Sequence, residues 1–68
     1  MTIDDALARV AQQLDQLYQR RIDANALKML ECGHSLDDVQ DHVDEQRERY
    51  VAWRAETLAQ MRATLLAS

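Results

Sequence analysis

Cys32, His34, Asp38 and His42 are the one group in this chain that collects a thiol, imidazoles and a carboxylate within a short stretch. Asp38 and His42 fall one helical turn apart, a spacing that suits two metal ligands or a carboxylate–imidazole pair. Neither a Cys-x-x-Cys nor a His-x-x-x-His pair accompanies them, and Cys32 and His34 flank a turn, so no fixed ligand geometry follows. Nucleophilic chemistry at Cys32 would need a cleft and an oxyanion site, which a short helical hairpin does not supply. Gly33 is the only glycine, so no phosphate-cradling loop exists. The expectation is a free thiol and two surface histidines, with no metal, no cofactor and no enzymatic activity.

The elements that carry these residues follow from punctuation and periodicity. Gly33 is the only glycine and proline is absent, so the segment Glu31-Cys32-Gly33-His34-Ser35-Leu36-Asp37-Asp38 reads as one helix ending and another starting. Gly33 takes the left-handed C′ position, Ser35 caps the next helix, and Asp38 three residues on completes a capping-box-like pair. Thr2 or Asp4 caps the first helix. The predicted elements are helix 1 at about 3–31, a turn at 32–35 and helix 2 at about 36–66, each about 45 Å long at 1.5 Å per residue. A loop this short makes them antiparallel neighbours. The fold class is therefore all-α, a single two-helix hairpin over 1–68.

Three-and-four spacing runs through Ile3, Leu7, Val10, Leu14, Leu17, Tyr18, Ile22, Ala26 and Met29 in helix 1. In helix 2 the core line runs through Leu36, Val43, Tyr50, Leu58, Met61 and Leu65, with Val39 beside it and Gln46 and Arg54 interrupting. Antiparallel pairing about Gly33 sets Tyr18 level with Tyr50, Leu7 opposite Met61, Ile3 opposite Leu65, and Leu14 near Trp53 or Arg54. Asn25 and Gln46 are expected to share a polar layer that fixes register. Two helices cover only one side of each other, and so short a chain buries a modest share of its surface. A twofold homodimer forming a four-helix bundle is the expected remedy, with a different protein completing the core as the alternative.

Composition limits the partners. A net charge of −4 disfavours generic nucleic-acid binding. No basic-then-apolar leader opens the chain and no apolar run approaches a membrane span. One cysteine excludes an intrachain disulfide and points to a reducing, cytoplasmic setting. On helix 2, Asp37, Asp41, Asp44, Glu45 and Glu48 make an acidic sector, either a solvated face or a docking stripe for a basic partner. It continues into Ala52, Ala55, Ala59, Ala63 and Leu66, whose small residues let another helix approach closely, so that end is a candidate inter-hairpin contact. Trp53 lies about 100° from the core line on the wheel, with Arg49 and His42 on its side. Trp and Arg anchor many interfaces, so Trp53, Arg49, His42, Asp37, Asp41, Asp44 and Glu48 are the candidate contacts to an unidentified protein target.

Asp41-His42-Val43-Asp44-Glu45, set on the second helix of a short hairpin, resembles the second helix of the Rop family of plasmid copy-number regulators. That resemblance implies a hairpin dimer and an RNA-binding face built from basic and polar residues and an aromatic of helix 1. Helix 1 departs from this pattern, carrying Asp4, Asp5, Asp15 and Asp23 against Arg9, Arg20, Arg21 and Lys28. Since phosphate contacts supply most nucleic-acid affinity, that departure speaks for the architecture and against the RNA function. In size and shape, though in no motif, the chain is also similar to phage-encoded host-takeover inhibitors of the quorum-sensing anti-activator type. The same holds for type III secretion co-chaperones, which complete a partner's helical core. The leading expectation is a non-enzymatic protein-binding module that inhibits or regulates its target.

Overall fold

The computed structural model describes residues 2–68 as two helices, α1 (Ile3–Glu31) and α2 (Leu36–Ala67). Asp4 near the start of α1 pairs with Arg62 near the end of α2, so the helices run antiparallel. Thr2 caps α1: its Oγ1 accepts from the Asp5 backbone N–H, and Asp5 Oδ2 accepts from the Thr2 N–H in return. Asp4 stands in the first turn, where its charge meets the positive end of the helix dipole. Ser35 Oγ accepts from the Asp38 N–H at 3.2 Å, which caps α2 in the predicted place.

Gly33 sits at φ +93°, the one positive φ among the described residues. The N–H of Gly33 donates to Leu30 O and that of His34 to Met29 O, both at 3.1 Å. This pair of bonds is a Schellman ending, which satisfies carbonyls the helix leaves open and reverses the chain within a few residues. Gly33 is needed here for its conformation alone, since a Cβ would meet nothing within 4 Å.

The core lies along one seam and is thin. Leu7, Ala11, Ile22 and Val39 are buried, and no side chain is fully enclosed. Val10, Leu14, Tyr18, Val43, Tyr50, Leu58 and Met61 are half-buried beside them. Three residues expected in the core lie outside it in the hairpin: Leu17 is 62% exposed, Leu36 73% and Leu65 41%. Leu36, the first residue of α2, is left open beside the turn, and Val39, one turn later, takes the buried place. Leu17 sits on the flank of α1 beside the seam, at the rim of an open groove. The molecule measures 50 × 18 × 13 Å, so it is one helix layer thick. Among the described residues no helix is long and apolar enough to cross a membrane.

Candidate functional site: an aromatic groove at the waist of the hairpin

Halfway along the hairpin Tyr18 and Tyr50 stack, ring centroids 3.9 Å apart and planes within 9°. This is the predicted pairing, and it arises because both residues lie half-way between the turn and the open end. Trp53, one turn on, leans on Tyr50 with centroids 6.0 Å apart. Around this cluster runs an open groove of about 470 Å³ lined by Leu14, Leu17, Tyr18, Arg21, Gln46, Arg49, Tyr50 and Trp53. Leu17 and Trp53, the latter 48% exposed, form its apolar rim, and its only charged liners are two arginines on a chain of net charge −4. Tyr18 OH and Gln46 Oε1 are shielded from solvent without a hydrogen-bond partner. A buried polar atom left unpaired is costly, so the floor of the groove is unfinished both in its apolar and in its polar contacts.

The opposite edge of the Tyr18–Tyr50 stack is closed by a polar cluster. The Tyr50 hydroxyl donates to Asp15 Oδ1 at 2.5 Å, and Arg54 reaches the same carboxylate through Nε at 2.9 Å. A longer bond runs from Arg54 Nη2 to Asp15 Oδ2 at 3.4 Å. The bond from Tyr50 chiefly, aided by the Arg54 charge, holds the Asp15 carboxyl below its ordinary value, with desolvation opposing. Desolvation first, and then the bond to Asp15, pushes the Tyr50 phenol above its ordinary value. Arg54, which interrupts the apolar pattern of α2, thus joins Tyr50 in tying the helices together at the waist. Asp15 carried no signal in the sequence beyond its polarity; only the register of the hairpin puts it opposite Tyr50 and Arg54.

The expected partner contacts divide. Trp53 and Arg49 line the groove. Asp37, Asp41, Asp44 and Glu48 are exposed and fall on the far side of α2, about half a helical turn around from Trp53 at 100° per residue. Asp44 Oδ1 accepts from Gln40 Nε2 at 2.9 Å, an i, i+4 bond within that face. His42 shares the flank of Trp53 but lies three turns nearer the loop. There it lines a second, shallower groove with Asn25, Lys28, Met29, Cys32 and His34. Cys32 is free and exposed, and among the described residues no three His, Cys, Asp or Glu side chains converge to hold a metal ion. The anticipated Asn25–Gln46 layer does not form: Asn25 lines the groove at the loop and Gln46 the groove at the waist, where its Oε1 has no partner.

No protein-family model, curated protein or solved structure matches the chain.

Proposed function

We propose that this protein is a non-enzymatic protein-binding module, acting in a reducing cytoplasmic setting, that inhibits or regulates the protein it docks on. The observation that supports this reading is the groove at the waist. It combines an exposed tryptophan and leucine, two arginines and two shielded polar atoms without partners in one open groove. Interface hot spots draw on the same residue types, Trp, Tyr and Arg, set in a pocket from which water is expelled. The acidic far side of α2 complements this as a charged surface that speeds encounter with a basic partner.

Site-specific photo-crosslinking in cells tests the reading. A photoreactive side chain at position 53 is expected to give a discrete adduct that disappears when Leu17→Glu is added. Absence of an adduct from position 53, with a chain that is folded and expressed, refutes docking at the groove.

A further inference from the structure

We infer that what enters the groove is a segment of the regulated protein that bears an apolar side chain and, about 6 Å along it, a carboxylate. This rests on the reading of the groove as a docking site and states the chemistry that fills it. The groove liners are sorted along the hairpin. Leu17 and Arg21 stand one helical turn apart on α1, and Trp53 and Arg49 one turn apart on α2, each pair about 6 Å apart along its axis. Residue numbers rise toward the turn on α1 and away from it on α2, because the helices are antiparallel. Both walls therefore share one order, with Leu17 and Trp53 toward the open end and Arg21 and Arg49 toward the turn. The stacked Tyr18 and Tyr50 mark a common level between them. From that level Arg49 is one residue and Arg21 three residues toward the turn, so the two arginines face each other within about 3 Å of the same height. Leu17 and Trp53 stand in the same relation on the other side. Leu14 extends the apolar end and Gln46 the polar end.

A groove apolar at one end and cationic at the other takes its occupant in a fixed direction. Leu17 and Trp53 receive an aliphatic or aromatic side chain, and two guanidinium groups bracket a carboxylate through charge-assisted bonds. A purely apolar segment would strip water from both arginines with nothing in return, and would leave Tyr18 OH and Gln46 Oε1 without partners. RNA is disfavoured on the opposite ground. Only two cations line the groove and the chain carries −4 overall, so a row of phosphates gains at two points and is repelled by the rest. One carboxylate on an apolar segment satisfies both ends. The surface left open is protein-sized: a folded chain of 7.9 kDa is expected to expose about 4,400 Å², whereas this hairpin exposes 5407 Å². The excess compares with the roughly 800 Å² that each partner buries in a standard interface. The acidic far side of α2 repels the docking segment, which is thus admitted from one side, and attracts basic surface elsewhere on the same protein.

Selection of a phage-displayed library of random peptides on the purified chain tests the proposal. Enriched sequences are expected to share Asp or Glu at a constant separation from Leu, Phe or Trp, and a synthetic peptide of that sequence is expected to shift Trp53 emission to shorter wavelength. Arg21→Glu with Arg49→Glu, both at exposed positions, is expected to keep its helical circular dichroism and to weaken that peptide about tenfold or more. The same charge-reversed chain should enrich Lys or Arg in the acidic place. Arg9→Glu with Arg47→Glu, an equal change of net charge outside the groove, is expected to alter binding by less than about twofold. Enriched peptides without an acidic residue, acidic peptides that bind the charge-reversed chain equally well, or no enrichment at all overturn the proposal. In the crosslinking experiment, a protein adduct from position 53 that Arg21→Glu with Arg49→Glu abolishes supports it. An adduct that survives the reversal, or one of dimer mass, overturns it while leaving the docking groove standing. No adduct, or one that ribonuclease digests, removes both.

Discussion

Ile22→Ala and Leu17→Ala each delete three carbon atoms from the same helix, five residues apart, and differ chiefly in what surrounds them. Ile22 is 3% exposed, so its truncation loses the full transfer free energy, about 2.4 kcal/mol at 0.8 kcal/mol per carbon. A cavity is added to that, for a total within about 2–5 kcal/mol. Leu17 is 62% exposed, so only the covered 38% counts in the single hairpin, about 1 kcal/mol on the same scale. A chain of this size has a total stability of about 3–10 kcal/mol, so the first substitution removes a large share of it and the second a small one. Urea unfolding followed by helical circular dichroism at low micromolar concentration reads the difference as a shift in midpoint. If a second copy covers Leu17, its cost rises toward that of a buried leucine as concentration increases, while the cost at Ile22 shows no such rise. Equal losses at the two positions in a chain shown to be monomeric would refute the placement of the seam.

The other predictions concern the waist, the turn and the caps. The Asp15 carboxyl is held below its ordinary value by Tyr50 and Arg54, so its contribution to stability is present above pH 4 and is lost as pH falls through the lowered folded value; Asp15→Asn should flatten that part of the acid-unfolding profile. Tyr50 is raised, so its contribution is full below pH 10 and is lost as pH rises through the folded value. An ultraviolet titration should therefore show one tyrosine ionising late, and Asp15→Asn should bring it down. Gly33→Ala puts a Cβ at φ +93° with nothing to clash against, so it should cost only the backbone strain, about 1–2 kcal/mol, in thermal unfolding. Ser35→Ala removes the cap of α2 and should cost about 1 kcal/mol in the same assay, with faster amide exchange in the first turn of that helix. Tyr18→Phe removes a shielded hydroxyl that has no partner. It should leave the isolated hairpin unchanged or more stable, and a loss of more than about 1 kcal/mol there would mean that the hydroxyl is satisfied.

The fold was legible in the sequence because its signals are local. One glycine followed at two residues by a serine and then by paired aspartates defines a helix end and a helix start without reference to anything distant. Uninterrupted helix formers on either side leave no other class of structure, and an antiparallel hairpin with a tight turn aligns Tyr18 with Tyr50 by arithmetic. The core was less legible. Leu17 and Leu36 share the spacing of buried leucines, yet periodicity reports which face a residue shares and not how much of that face one neighbouring helix can cover. The Asp15–Tyr50–Arg54 cluster was hidden for a related reason: it is a product of cross-seam register, where a slip of one residue would carry Asp15 away from Tyr50 and Arg54. The groove, for its part, combines apolar and arginine residues from both helices, and neither helix alone shows it.

The two edges of the Tyr18–Tyr50 stack are built for different surroundings. On one edge Asp15 meets Arg54 and Tyr50, and nearer the open end Asp4 meets Arg62 at 2.9 Å. These pairs keep their side chains substantially exposed, and an ion pair is tolerated at such an edge because water still solvates it; taking it out of water costs more than the attraction returns. The other edge has no cross-helix ion pair among the described residues. It carries Leu17, Trp53 and two arginine side chains, whose long stems and planar heads desolvate more readily than compact ammonium groups. The acidic sector of α2 then works against association elsewhere, since two such faces brought together would oppose like charges. On a chain of net charge −4, exposed apolar area and positive charge coincide on this edge of the waist.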